Sequence, residues 1–408
     1  MNIPNSGRFV FSTLFSAVLL AGCGGGGGGG DGAATSTQTH GIVGVSLTDA
    51  PACGYDAVNI TVARVRIHQS ATAGENDAGW TDIVLNPARK INLLDLSNGA
   101  LTALGETPLL PGHYTQLRLV LDPNTGNSLA NSVVASGTTN EVSLETPSAI
   151  QSGIKLVNEF DVAAGQRVDL VLDFDACKSI VTRGKGKVAL KPVIKVVPTV
   201  LNGIDGFVST ALLSEHVQVS AQQNGQIVSS TVPNANGEFY LSRLSPGSYD
   251  VLITADNRAA AIIAAVPVAT ATSTVLVSTS AAPISLQAAA TPARRITGNI
   301  RLSPSSATES GYASARQTLA SGTTVTMKYQ GADLATGDYE LTGLPTVAPQ
   351  FARYGAALPL VFTVQPDTTP GTGKYAVQAS TTGYQTSSTA LVDISAASQS
   401  GVNFTLTP

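Results

Sequence analysis

Alternation of apolar and polar residues dominates residues 41–200 and predicts β-strands there. In several runs valine, isoleucine or leucine fills every second position, the spacing that places side chains on one face of a strand. The alternation is clearest in residues 43–47, 58–62 and 117–121. After the second run the apolar positions shift to Val65 and Ile67, which predicts a β-bulge near Ala63-Arg64.

Turn signals separate these runs. They are Pro111-Gly112, Asp122-Pro123 and residues 184–186, which contain the residues that favour tight turns. Residues 93–104 predict a short helix at most, because Asn98-Gly99 argues against a long one. Short strands joined by turns predict a β-sandwich or barrel.

Two segments in the C-terminal half share one pattern. Each has a glycine turn, an aromatic-containing strand, a proline corner and a strand led by tyrosine. They are residues 237–251 and residues 337–345, the latter resumed at 373–377 after an insertion of residues 346–372. In the first copy every second residue of both strands is expected to point inward. The inward set is Phe239, Leu241, Tyr249, Val251 and Ile253.

The N-terminus has the anatomy of an export signal. Arg8 precedes an apolar run that ends in Leu20-Ala21-Gly22-Cys23, and the run is shorter than the roughly 20 residues of a membrane span. The last four residues resemble a bacterial lipobox, which implies cleavage before Cys23 and a lipid on its thiol. Seven glycines come next and predict a flexible tether. The alternative is an ordinary signal peptide with a chance cysteine.

Two family resemblances rest on longer stretches. Residues 45–51, 58–62, 110–114, 117–119, 172–176 and 190–194 together resemble a domain of unknown function that recurs in bacterial lipoproteins. The repeated C-terminal pattern resembles the carboxypeptidase-regulatory-like, transthyretin-like β-sandwich. The first resemblance implies fold and localisation, and the second implies a spacer or binding platform classed near starch-binding folds.

The expected architecture is therefore all-β, with tandem β-sandwich domains behind a lipidated flexible tether. The expected ranges are a lipoprotein signal peptide (1–22), a lipidated tether (23–40), a β-sandwich domain of unknown function (41–200), a carboxypeptidase-regulatory-like sandwich (201–292) and a second, divergent sandwich (293–408). Glycine at position 24, directly after the lipidated cysteine, implies export to the outer membrane. The sequence leaves open whether the protein lies on the periplasmic or the surface face of that membrane.

Composition and cysteine content refine this picture. Charged residues make up 12% of the 408, and the net charge is −4, so no basic field is expected to bind nucleic acid. With Cys23 assigned to the lipid, Cys53 and Cys177 remain, and an oxidising compartment favours a disulfide between them. The alternative is two buried free thiols.

The strand at residues 169–175 carries the one cluster of carboxylates that suggests a ligand. Asp169, Asp173 and Asp175 share a face, and oxygen ligands of this kind suit Ca²⁺. The simpler interpretation is cross-strand pairing with lysines of a nearby strand, Lys187, Lys191 and Lys195. The expectation is accordingly no metal and no cofactor. Asp49 and Asp56 are ambiguous between turn residues and ligands.

Catalytic patterns are scarce. Ser152-Gly153-Ile154-Lys155 matches the SxxK pattern of penicillin-interacting enzymes, but the companion SDN and KTG elements are absent from the sequence. Sugar-binding platforms commonly use exposed aromatic residues. The candidates are Trp80, Tyr312, Tyr329, Tyr354 and Tyr384, each more simply interpreted as a half-buried strand residue.

These observations favour a non-enzymatic envelope lipoprotein with a binding, adhesive or structural role. Its expected partners are the membrane, through Cys23, and a polysaccharide or protein ligand. The alternative is a carbohydrate-binding protein or an accessory to a glycan-active enzyme.

Overall fold

The computed structural model describes residues 40–50, 54–146, 149–150, 152–156, 159–197, 202–269, 274–306, 309–389 and 391–408. The predicted signal peptide, the lipid-bearing Cys23, the tether before residue 40 and Cys53 lie outside these residues. Strands dominate the described part of the chain, so the expected all-β class with tandem β-sandwich domains is confirmed.

The first domain contains fourteen strands among its described residues. They are β1 (Gly41–Ala50), β2 (Tyr55–His68), β3 (Thr81–Asn92), β4 (Thr102–Leu109), β5 (Gly112–Tyr114), β6 (Gln116–Leu121), β7 (Ser132–Ala135), β8 (Glu141–Glu145), β9 (Ile154–Leu156), β10 (Phe160–Val162), β11 (Arg167–Asp175), β12 (Ile180–Thr182), β13 (Val188–Leu190) and β14 (Ile194–Val197). A 3₁₀ turn spans Leu93–Leu96 and a helical turn spans Ala176–Ser179.

One sheet of this domain has the order β14-β11-β1-β4, with β1 and β11 parallel. The other has the order β12-β13-β8-β7-β2-β6-β9, with β3 also paired to β2, and β5 pairs with β10 apart from both. The predicted bulge is confirmed, because the register of β2 against β3 and β6 shifts between Val62 and Arg64. The apolar residues on both sides of the bulge remain wholly buried in one core.

The middle module is a smaller sandwich. Its strands are β15 (Gly203–Phe207), β16 (Gln218–Gln223), β17 (Gln226–Thr231), β18 (Glu238–Ser242), β19 (Gly247–Thr254), β20 (Ala261–Val268) and β21 (Thr274–Leu276), and a 3₁₀ turn spans Thr210–Glu215. The sheet β18-β15-β21 packs against a sheet that begins β17-β16-β19-β20. The five residues expected to point inward from β18 and β19 are all buried, with at most 2% of their surface exposed.

The third module repeats this topology. Its strands are β22 (Arg294–Leu302), β23 (Tyr312–Leu319), β24 (Thr324–Gly331), β25 (Asp338–Leu344), β26 (Gln350–Arg353), β27 (Thr363–Val364), β28 (Thr368–Thr369), β29 (Lys374–Ser380), β30 (Ser387–Ser388), β31 (Val392–Asp393) and β32 (Phe404–Leu406). The sheet β25-β22-β32 matches β18-β15-β21, and the run β24-β23-β29 matches β17-β16-β19.

The glycine turns of the two copies are equivalent in detail. Gly237 has φ +80° and Gly337 has φ +78°, a region that side chains rarely occupy. A Cβ at Gly237 would lie 2.2 Å from the carbonyl oxygen of Val208, and one at Gly337 would lie 2.5 Å from that of Ile300. The same two residues donate their amides to the glycine carbonyls, each at 2.8 Å. The repeat predicted from the sequence is therefore a structural repeat.

The insertion of residues 346–372 connects the two copies. Its strand β26 pairs in parallel with β20, and β27 then pairs with β26. The larger sheet of the middle module thus ends in two strands supplied by the third module. In return, the side chains of Leu252 and Ile262, on β19 and β20, belong to the hydrophobic core of the third module.

Candidate functional site

The three aspartates of β11 point away from the core, as expected, but they are not gathered into one site. Leu170, Leu172 and Phe174 fill the core side of the strand. In the part of the chain that the structure describes, no three His, Cys, Asp or Glu side chains are grouped to hold a metal ion.

Each aspartate has different surroundings. Asp169 forms an ion pair with Arg167, with 3.0 Å between Oδ1 and Nη2. Asp175 caps the helical turn that comes after β11, accepting hydrogen bonds from the backbone N–H of Lys178 at 3.0 Å and from its Nζ at 2.8 Å. Asp173 lies directly opposite Lys195, because β11 and β14 are antiparallel.

The predicted pairing of the aspartates with three lysines is therefore matched in strand register at one position, but there Lys195 directs its Nζ toward the Val228 carbonyl at 3.5 Å and forms no ion pair with Asp173 among the described residues. The other two lysines contact glutamates. Lys187 Nζ lies 3.2 Å from Glu145, and Lys191 Nζ lies 2.9 Å from Glu309 of the third module. The sequence placed these lysines on one face but did not reveal that a second module approaches that face.

Asp49 and Asp56 bind backbone groups. Asp49 is buried and accepts a hydrogen bond from the Ala176 N–H at 3.1 Å, which joins the end of β1 to the helical turn. Asp56 accepts from Ser136 Oγ at 2.8 Å and from the Gly137 N–H at 3.1 Å. Both aspartates thus hold turns in place, the simpler of the two roles expected for them.

A cavity of about 200 Å³ lies between the first domain and the middle module, and Asp173 lines it. The first domain contributes the ends of β1 and β14 and the turn after the 3₁₀ segment. The middle module contributes β17 and the corner after β18. The charged residues of the lining are Asp49, Asp173, Lys195 and Arg243, and most of the other lining residues carry hydroxyl or amide groups.

Asn98 and Arg243 close the rim of this cavity. Asn98 takes a left-handed conformation, with φ +57°, and its Oδ1 accepts hydrogen bonds from Thr231 Oγ1 at 2.7 Å and from the Tyr240 N–H at 3.0 Å. Arg243 is 6% exposed and donates from Nη1 and Nη2 to the Gly99 carbonyl at 3.3 and 3.4 Å. The Asn98-Gly99 dipeptide predicted a turn, but nothing in its local sequence indicated that the turn docks on another module.

Desolvation shifts the pKa of two groups in the cavity, Asp173 and Arg243. The pKa of Asp173 is raised to about 6, first by desolvation and second by the negative charge of Asp175, while the charges of Lys195 and Arg243 oppose the rise. Burial also lowers the pKa of Arg243, and the charge of Asp173 partly offsets this effect. The carboxyl of Asp173 therefore keeps its proton to a higher pH than an ordinary aspartate, and charges of both signs surround it.

The SxxK segment lies elsewhere, beside a loop that begins after β2. Lys155 Nζ donates to the carbonyl oxygen of Ala71 at 2.5 Å, and the Ser152 carbonyl accepts from Arg118 Nη1 at 2.9 Å. Trp80 packs against the guanidinium groups of Arg66 and Arg118, which are 4.7 and 4.8 Å from its ring centre. The lysine and the tryptophan thus hold the loop and the sheet together.

The candidate tyrosines lie at module contacts or beside a core. Tyr312 donates its hydroxyl to the Lys178 carbonyl at 2.8 Å, and the Lys178 amine lies 5.1 Å from the ring centre of Tyr329. Tyr354 packs against the core of the middle module and Tyr384 against that of the third. Burial raises the pKa of Tyr329 well above its usual value. These positions match the half-buried role more closely than that of an exposed sugar platform.

Among the described residues, no helix is both long enough and apolar enough to cross a membrane.

Comparison with protein families identifies the first domain. Residues 40–192 match the family described as Domain of unknown function (DUF4382), so the expectation of a domain of unknown function in this region is confirmed. A search of curated proteins finds no match to the chain.

Solved structures share only a distant likeness with this chain. The Bacillus anthracis TIE protein is 9% identical, with coverage of 90% of this chain and 50% of that chain and a TM-score of 0.17. The Corynebacterium diphtheriae major pilin SpaA is 11% identical over 90% of this chain and 100% of that chain, with a TM-score of 0.20. BcpA, the major pilin subunit of Bacillus cereus, is 13% identical over 90% of this chain and 99% of that chain, with a TM-score of 0.15. This chain covers half the length of the TIE protein, and TM-scores of this size support no functional argument.

Proposed function

We propose that this chain is a non-enzymatic envelope lipoprotein, anchored through Cys23, whose β-sandwich modules act together as one rigid binding or structural body. The observation that supports the rigid body is that each of the three modules contacts both of the others. A chain of independently moving domains would be joined by linkers alone.

The three contacts are chemically distinct. The first domain and the middle module meet at Asn98 and Thr231, whose N–H and Oγ1 are 2.9 Å apart. The middle and third modules share a sheet through β20 and β26. The first and third modules meet where Lys191 pairs with Glu309 and where the Gly184 N–H donates to Asp333 at 2.8 Å. A closed arrangement of this kind resists bending at every junction.

The anchor rests on the order of charge, apolar run and small-residue site that ends at Cys23. The flexible tether expected between Cys23 and the first strand would hold a rigid body near the membrane without fixing its orientation.

A disulfide between Cys53 and Cys177 belongs to the same proposal. The parallel pairing of β1 and β11 sets Ala50 opposite Asp175 at one end of the sheet. Cys53 is three residues beyond Ala50, and Cys177 is two beyond Asp175. Mass spectrometry of peptides digested without reduction is expected to find the two cysteines linked, and two alkylatable thiols in protein taken from the envelope would contradict the bond.

Cell fractionation tests the anchor. Replacing Cys23→Ser should remove the lipid mass and release the protein from the membrane pellet, whereas Cys177→Ser, the matched control, should leave it there. A Cys23→Ser protein that stays in the pellet with unchanged mass would overturn the anchor.

Protease treatment of whole cells then separates the two settings. Digestion of residues 41–408 on intact cells favours an adhesive surface role, and protection until the outer membrane is opened favours a periplasmic scaffold. A hydrolase screen completes the test, because turnover abolished by Ser152→Ala or Asp173→Asn would overturn the non-enzymatic assignment.

A further inference from the structure

We propose that the cavity between the first domain and the middle module binds a single sugar ring, free or at the end of a glycan. The inference goes beyond the anchored body proposed above and does not depend on the lipid. It rests on the groups that line the cavity, on their charge balance and on the size of the space.

Asp173 is the central group. Among the described residues its carboxylate has no hydrogen bond or ion pair, although it lies in the contact between two modules. Lys195, the residue opposite it in the sheet, directs its Nζ toward the Val228 carbonyl at 3.5 Å. Asp173 is half-buried, and carboxylates withdrawn from bulk water are normally paired or hydrogen-bonded, so an unpaired one beside a cavity indicates a ligand that donates hydrogen bonds.

Other lining groups are also available. Ser229, Ser230 and Ser245 are among the lining residues, and their hydroxyls have no hydrogen-bond partner among the described residues. The Arg243 Nε is buried without a partner. The lining therefore offers one strong acceptor together with several groups that donate or accept.

Charge balance selects the ligand class. Asp49 and Asp173 face Lys195 and Arg243 in one lining, so the two negative charges are offset by two positive ones. A free anion would be repelled by the aspartates, and a metal cation would be repelled by the lysine and the arginine. A neutral polyol avoids both repulsions, because each of its hydroxyls can donate to a carboxylate while accepting from an ammonium or a hydroxyl group.

The size of the cavity limits the ligand to one ring. Its volume is about 200 Å³, below the roughly 300–1,000 Å³ of sites that hold drug-sized molecules. Tyr240 adds an aromatic side chain to the polar lining, and a ring with one apolar face suits such a mixed surface.

Titration calorimetry and saturation-transfer NMR test the proposal on the mature, lipid-bearing chain in detergent. The probes are glucose, galactose, mannose and N-acetylglucosamine, with glycine as a zwitterionic comparison and inorganic phosphate as an anionic one. We expect at least one sugar to bind, and neither glycine nor phosphate.

Two aspartates of the same strand supply the variants. Asp173→Asn should weaken sugar binding about tenfold or more, because a charge-assisted hydrogen bond is lost. Asp169→Asn, on the same face but ion-paired with Arg167 outside the cavity, should change the affinity by less than about twofold. Circular dichroism of both variants verifies that they are folded.

A pH series gives a second measurement. Protonation of Asp173 should weaken sugar binding between about pH 7.5 and about pH 5, and Asp173→Asn should abolish that dependence. The proposal is overturned if no sugar binds, if only glycine or phosphate binds, or if Asp173→Asn and Asp169→Asn behave alike.

Discussion

The middle and third modules share one topology but differ in the length of chain between the proline corner and the next core strand. In the middle module Pro246-Gly247 leads directly into β19, whereas in the third module residues 346–372 intervene before β29. The tyrosine at the start of that strand is nevertheless held in the same way. Tyr249 donates its hydroxyl to the Ser245 carbonyl at 2.7 Å, and Tyr375 donates to the Pro345 carbonyl at 2.6 Å. The corner thus tolerates a long insertion, which is free to pair with the neighbouring module.

The two modules also differ in how they meet the first domain. The third module contacts it through paired groups, such as Lys191 with Glu309 at 2.9 Å. The middle module contacts it around a cavity in which Asp173 is unpaired among the described residues. Both contacts are held by hydrogen bonds or ion pairs, but a cavity lies within the contact with the middle module.

Removing the insertion is the strongest way to break this comparison. Replacing residues 346–372 by a two-residue Pro-Gly corner should expose the edge of β20 and remove β26 from the shared sheet. We expect the single calorimetric transition of the intact protein to split in two, with a loss of several kcal/mol for the middle module.

A matched variant separates pairing from chain length. Both residues of β27, Thr363–Val364, are exposed. Substituting these two residues alone should change the free energy of unfolding by no more than about 0.5 kcal/mol. A single unsplit transition in the deletion variant would show that β26 does not couple the two modules.

Sequence reasoning succeeded where a local pattern decides the structure. The bulge after Val62, the inward residues of β18 and β19 and the repeated glycine turns all result from spacing between neighbours in the chain. Reasoning from sequence failed for contacts between modules, because these join residues far apart in sequence without a periodic signal. Arg243 and Asn98 are 145 positions apart in numbering yet close the same cavity, and the insertion gave no sign that it would extend another module's sheet.

The pH dependence of stability sharpens the comparison between the two contacts. The pKa of Asp173 is about 6 in the folded protein and near 3.9 when unfolded, so the folded state binds more protons between these values. The contribution of Asp173 to the free energy of unfolding should therefore be greatest below about pH 4. It should fall by at most about 3 kcal/mol as the pH rises to about 6.

Urea unfolding of the wild type and of Asp173→Asn over this range measures the effect. The variant should lack the fall in stability attributed to Asp173, while Asp169→Asn should retain it. Identical pH profiles for wild type and Asp173→Asn would mean that the carboxyl at the cavity is as well solvated as one on the surface.

The smallest expected effect tests whether the insertion alters the corner. Tyr249 and Tyr375 are at most 2% exposed, so Tyr249→Phe and Tyr375→Phe each leave a carbonyl unsatisfied and should cost about 1 kcal/mol. Because the residues lie in different modules, the double variant should lose the sum of the two single losses to within about 0.5 kcal/mol.

Tyr384 supplies the control, because its hydroxyl donates to the Pro304 carbonyl at an exposed position. Tyr384→Phe should therefore cost less than about 0.5 kcal/mol. Chemical denaturation measures all four variants, and a clearly smaller loss for Tyr375→Phe than for Tyr249→Phe would show that the insertion relaxes the corner it interrupts.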